Sequence, residues 1–213
     1  MVLAVTEDMA RLADFARRLH IYISTLGTGF TFFTFGMVVI ALILIADCVT
    51  YGMGVTVKNV AIAVAIVTSI IISVFAVYTV ILKARGTREA SAKGWWFMVT
   101  FGAPFTLMYS IGPRLLPRYV MPTIWFLCLG MAFLLSHFIC ERPLIRKGVM
   151  VAKPFLISGI FMLASYPLIL YISYIHIPEG RVGLVESFAS GMTLLVYYIA
   201  GAYSLYKANE LFK

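Results

Sequence analysis

Seventeen Lys and Arg residues break this chain into apolar runs, and their clusters alternate between heavy and light along the sequence. Thirteen fall into the heavy set: Arg11, Arg17 and Arg18; Lys83, Arg85, Arg88 and Lys93; Arg142, Arg146, Lys147 and Lys153; Lys207 and Lys213. Lys58, Arg114, Arg118 and Arg181 form the light set. Short loops rich in Lys and Arg stay in the cytoplasm, because carrying each charge across hydrocarbon costs several kcal/mol. The alternation therefore predicts an all-α integral membrane bundle of six helices, with both termini cytoplasmic. The acids follow the same division. Glu7, Asp8, Asp14, Glu89, Glu141 and Glu210 fall on the heavy side; Asp47, Glu179 and Glu186 fall on the light side.

Composition agrees with a membrane class. Hydrophobic residues make up 62% of the 213 and charged residues 12%, far below the roughly one quarter usual in soluble domains. About 20 residues are needed per crossing, so six spans consume most of the chain and leave no room for a soluble domain. The formal net charge of +8 is distributed over loop ends facing anionic headgroups, which argues against a nucleic-acid stripe. Cys48, Cys128 and Cys140 include no close pair, so no disulfide framework is expected. The chain has no Gln and only two Asn, Asn59 and Asn209, a depletion of thermolabile amides that fits a thermophilic source. The first twenty residues lack the basic leader, short apolar run and small-residue site of a cleaved signal peptide, and the first span is expected to direct insertion.

Residues 1–20 form the first predicted unit. Met9, Leu12, Ala16 and Leu19 share one helical face, Phe15 lies beside them, and the charges stand opposite. This pattern predicts an amphipathic helix lying at the cytoplasmic surface. Residues 21–206 form the transmembrane unit. Its spans are expected from about Ile21 to Ala46, Val57 to Leu82, Trp95 to Gly112, Tyr119 to Ile139, Pro154 to Ile175 and Leu184 to Tyr206. Inner loops cover Lys83 to Gly94 and Cys140 to Lys153, and a tight outer turn covers Gly112 to Arg118. Residues 207–213 make a basic cytoplasmic tail.

Three groups of residues carry candidate chemistry. His137 and Glu141 stand at i and i+4 on one helix face, Cys140 lies beside them, and His20 falls at the same membrane side. Imidazole, thiolate and carboxylate in that grouping can ligate a metal, and His20 with His137 can hold a haem. The competing reading is a helix end at the interface where Glu141 neutralises a basic neighbour. The second group surrounds two proline breaks, with Thr100, Thr106 and Tyr109 near Pro104 and Ser165, Tyr166 and Tyr171 near Pro167. A proline frees the carbonyl four residues earlier, here those of Thr100 and Leu163, and freed carbonyls with hydroxyls can line a solute path. Arg114 and Arg118 are the third group, placed to collect an anion or a lipid phosphate.

No Asp, Glu, Lys or Arg falls in the central half of any predicted span, where ion-coupled transporters, pumps and intramembrane proteases place such groups. Nor does the chain carry a glycine-rich phosphate loop, a Gly-x-Ser-x-Gly elbow or a Cys-x-x-Cys pair. No cofactor is implied. The expected function is that of a non-enzymatic subunit or scaffold of a larger membrane assembly. Its partners are an anionic bilayer and other membrane subunits or its own copies, with no nucleic acid. A small-solute channel or permease lined by the third and fifth spans is the first alternative, and a haem or metal redox subunit the second. The topology predicts that a reporter fused after Lys213 is cytoplasmic and one inserted near Gly180 is external; the same side for both would refute the six-span arrangement.

Overall fold

The computed structural model describes residues 2–52, 90–178 and 180–212, with side chains from Asp8 to Gly36 except Phe35, and from Val99 to Leu211 except Glu179. The predicted second span and most of the first inner loop lie outside the described residues. Every described element is helical. Helix α1 runs from Val2 to Gly52 and α2 from Ala90 to Leu115. A 3-10 turn, Met121–Thr123, opens α3, Ile124–Ser136; a π-helical turn, His137–Glu141, then leads into α4, Arg142–Arg146. Helix α5 spans Pro154–His176, and α6 spans Val182–Asn209. Three helical stretches, Met121–Arg146, Pro154–His176 and Val182–Asn209, are long and apolar enough to cross a membrane.

The helix ends follow local chemistry. Pro154 occupies the first turn of α5, where a missing N–H removes no intrahelical bond. Helix α4 stops where Gly148 takes φ 65°, with Gly148 N–H bonded to Ile145 O at 2.9 Å and Val149 N–H to Leu144 O at 3.0 Å. That pairing caps the last carbonyls, and a left-handed glycine makes it cheap. Gly180, at φ 77°, ends α5 in the same way, with Arg181 N–H on His176 O at 3.0 Å.

Several predicted boundaries are corrected. No break separates residues 1–20 from the first span: α1 is one helix of 51 residues, with no Pro or Gly between Asp8 and Leu26 to bend it. The predicted outer turn begins later, because α2 continues through Gly112 and Pro113, and Leu116 N–H still reaches Gly112 O at 2.8 Å. So close to a helix end, Pro113 removes a single bond and does not stop the helix. The predicted inner loop at Cys140 is helical as far as Arg146, since Pro143 sits in the first turn of α4. Helix α2 also begins before the predicted third span, at Ala90.

Small residues set the packing. Gly29 of α1 lies against Gly201 and Ser204 of α6, while Gly36 meets Tyr197, so the two helices run antiparallel. Thr100 meets Ser136, and Cys128 meets Pro104, which makes α2 and α3 antiparallel. Gly130 faces Met162 and Leu163, and Gly159 faces Leu134, which does the same for α3 and α5. Phe133 is the hub of the core, with its ring 5.5 Å from Phe101, 5.8 Å from Tyr197 and 5.9 Å from both Phe32 and Phe155.

A Cβ at Gly159 would stand 2.6 Å from Leu134 Cδ2 and 3.0 Å from the Leu134 backbone nitrogen, and the backbone cannot yield as a side chain can. Gly159→Ala is therefore expected to destabilise the protein by about 1–3 kcal/mol through overpacking. Gly102→Ala, where a Cβ meets nothing within 4 Å, serves as the control and should be neutral or stabilise by up to about 1 kcal/mol, because alanine is the better helix former. Unfolding in mild detergent measures both. Equal stability of the two variants would contradict the close α3–α5 contact.

Candidate functional site

Among the residues with described side chains Glu141 is the one buried carboxyl group, and the π-helical turn positions it. Such a turn adds a residue to the helical repeat and re-aims the side chains that follow, which is why these turns gather at special sites. Phe138 and Ile139 point outward, whereas His137 is 7% exposed and Glu141 is 1% exposed. Glu141 Oε2 and His137 Nδ1 share a hydrogen bond, donated by whichever of the two carries the proton.

The remaining acceptor capacity of Glu141 reaches across to α5. Phe155 N–H donates to Oε1 at 3.1 Å, and Leu156 N–H donates to Oε2 at 3.4 Å. Both amides belong to the first turn of α5, where no intrahelical carbonyl is available, and Lys153 supplies no side-chain cap. Glu141 thus caps a helix other than its own, with its acceptor oxygens at the positive end of that helix's dipole. This corrects the expectation that Glu141 neutralises a basic neighbour at an exposed helix end. One more bond closes the same end of the bundle: Val151 N–H donates at 3.4 Å to Oγ1 of Thr25, which is fully buried on α1.

The metal grouping does not assemble. His20 is exposed on α1, Cys140 is half-buried and unoxidised, and no cluster of three or more His, Cys, Asp or Glu exists among the described residues. The capping role of Glu141 was missed in the sequence because its partners are backbone amides. The one available signal was Pro154 following Lys153, an N-terminus with no capping side chain of its own.

The residues around the proline breaks are scattered over different surfaces. Thr100 is buried, its hydroxyl 3.1 Å from that of Ser136, and Pro104 is buried with its carbonyl 3.6 Å from Cys128 Sγ. Thr106, Tyr109, Pro167 and Tyr171 face outward. The hydroxyls of Thr106 and Ser165 are turned back onto their own helices, to Gly102 O at 3.0 Å and Met162 O at 3.1 Å. Tyr166 keeps a buried hydroxyl with no hydrogen-bond partner among the described residues. An apolar groove of about 680 Å³ lies between α1 and α6, lined by Phe30, Phe33, Thr34, Leu195 and Tyr198 among others, and none of the eight pathway candidates borders it. Arg114, in the last turn of α2, and Arg118 are both exposed.

Comparison with protein-family models, curated proteins and solved structures returns no match.

Removing the carboxylate leaves first-turn amides without acceptors, at about 1–3 kcal/mol for each buried donor. Glu141→Ala is expected to destabilise the protein by that order, and Glu141→Gln by less, since its amide oxygen still accepts one N–H. His137→Ala should leave metal content and visible absorption unchanged. Unfolding in detergent checks the first pair of variants and elemental analysis the last; loss of a stoichiometric metal from His137→Ala would make the histidine a ligand.

Proposed function

We propose that this chain is a non-enzymatic polytopic membrane protein acting as a subunit or scaffold of a larger membrane assembly, six spans long with both termini cytoplasmic. The packing directions support the span number. Helix α1 is antiparallel to α6, α3 is antiparallel to both α2 and α5, and α6 returns from α5 through a five-residue connection. It follows that α1 and α2 run in the same direction. The chain leaves α1 at one end of the bundle and enters α2 at the other, which the proposed second span, Val57 to Leu82, accounts for as a further crossing.

The observation that carries the functional reading is the filled centre. Phe32, Phe126, Phe133, Met162, Ile169 and Tyr197 are at most 5% exposed and pack together among the described helices. Apolar packing of this kind stabilises a bundle without selecting a solute, and the hydroxyls near Pro104 and Pro167 do not converge on a common space. A scaffold needs only a stable bundle and contact surfaces. Its outer faces supply these, with the basic cytoplasmic loops as a second surface.

Two measurements test the proposal together. Purification from native membranes in mild detergent is expected to recover the chain with stoichiometric companions, or with further copies of itself, identified by mass spectrometry. In liposomes the purified protein is expected to pass neither small ions nor small neutral solutes, and Pro104→Ala should change stability without changing flux. Robust wild-type flux that Pro104→Ala abolishes, with the fold intact, would replace the scaffold reading with a permease.

A further inference from the structure

Helix α1 has two distinct faces. Ser24, Thr25, Gly29, Phe32 and Gly36 are buried against the bundle. On another side of the helix, Met9 is 68% exposed, Leu12 73%, Leu19 38%, Ile23 56% and Phe30 56%. With Ala16 and Leu26, these residues fall at positions 9, 12, 16, 19, 23, 26 and 30, a strict alternation of three and four residues over three heptads. That spacing is the seam of a coiled coil, flanked at position g by Phe15, 59% exposed, and an apolar face of this kind can be covered by a second helix or by a membrane surface.

The direction of α1 decides between those two coverings. Residue 29 packs beside residues 201 to 205, and residue 36 beside Tyr197, so the end of α6 at Asn209 lies level with about Ile21 to Ile23. The stretch from Asp8 to His20 is exposed throughout and extends about 20 Å beyond that end, at 1.5 Å per residue. It continues the axis of a helix packed along a membrane-crossing helix. A bilayer surface meets such a rod end-on and cannot cover a stripe running along it.

We infer that this seam is a self-association surface, at which α1 helices from two copies pair as a parallel coiled coil. The inference rests on the membrane-scaffold reading above, because insertion in a common bilayer is what sets the two copies parallel. A two-fold axis along the membrane normal then brings each seam against its own equivalent. The charges permit the match. Arg11 and Arg18 occupy position c, Asp14 position f and Arg17 position b, all off the seam, and Arg18 is engaged by Asp14 of its own helix at 3.0 Å. Asp8, at position g, faces the uncharged Ala13 at position e of the partner. The seam therefore offers a charged foreign partner nothing to recognise and gives two identical copies no repulsion. Its exposed apolar side chains offer on the order of 500–800 Å² per copy, the scale of one side of a standard stable interface.

Cysteines added one at a time to the full chain test the pairing in native membranes, with the unmodified protein and its own three cysteines as background. Under mild oxidation, Leu12→Cys and Leu19→Cys are expected to give a disulfide-linked product of twice the 23.7 kDa chain, several-fold more than Arg11→Cys or Asp14→Cys. Equal product from both sets would overturn the proposal. So would seam cysteines that are shielded from a water-soluble maleimide yet form no dimer, the result expected if lipid covers the stripe, and so would crosslinking only to a protein of different mass. As a second readout, Leu12→Glu with Leu19→Glu should halve the protein mass measured by light scattering in detergent while leaving the helical content unchanged, because both side chains are exposed in the single copy. An unchanged mass would overturn the proposal. Failure here with companions still recovered from native membranes removes the seam alone, whereas the absence of any companion with seam crosslinking intact removes the wider assembly.

Discussion

The hydrogen bonds from the first turn of α5 to Glu141 hold one end of this bundle together. A helix that starts inside a packed membrane protein brings amide groups with no carbonyl to receive them, and hydrocarbon offers no water in compensation. Pro154 removes one such amide by having none, and Glu141 accepts two of the others. His137 occupies the same carboxyl group from the other side, so each of its oxygens has a partner. The cap joins the α3–α4 rod to α5, and the bond from Val151 to Thr25 adds α1, so three segments distant in sequence are fixed by backbone amides meeting side-chain oxygens.

The rest of the packing is settled by where side chains are missing. Gly29, Gly36 and Gly201 let α1 and α6 approach closely, and Gly130 and Gly159 do the same for α3 and α5. In lipid, apolar surface gains little from leaving a medium as apolar as itself, so close contact between small residues and the dispersion it allows must hold helices together. Large rings then fill the spaces that the glycines define. Phe133 touches rings from α1, α2, α5 and α6, which makes the core a junction of the described helices rather than a stack of helix pairs.

What the sequence discloses follows from the range of the forces involved. The all-helical membrane character, and the positions of the helices around Phe133, Met162 and Tyr197, are legible because hydrophobic runs and basic loop ends are local signals. The pairing of His137 with Glu141 is legible for the same reason, being a matter of i, i+4 geometry. The partner of that pair is not, since an amide N–H at Phe155 or Leu156 leaves no mark in the residue type. Helix ends at Leu115 and Arg146 are misjudged because a proline near a terminus removes one bond without stopping the helix. The scatter of Thr106, Tyr109, Pro167 and Tyr171 is equally hidden, because facing is set by the neighbours a helix acquires.

Helix α1 shows how one apolar pattern acquires two meanings along a single rod. From Ser24 to Gly36 it buries Ser24, Thr25, Gly29, Phe32 and Gly36 against α6 and the core, and it leaves Phe30 on its outer line. Past the end of α6 the outer line continues through Ile23, Leu19, Leu12 and Met9, and on the proposed topology the medium around it changes from hydrocarbon to water. Exposure that is neutral in the first environment costs about 25 cal/mol per Å² in the second. A helix without a break cannot turn the line back into the bilayer, and the bundle-facing line beside it carries Arg11, Arg17 and Arg18, suited to solvent. On the proposed pairing the driving force for association arises where the helix leaves the membrane, and it acts along a seam whose spacing continues from Ile23 to Phe30.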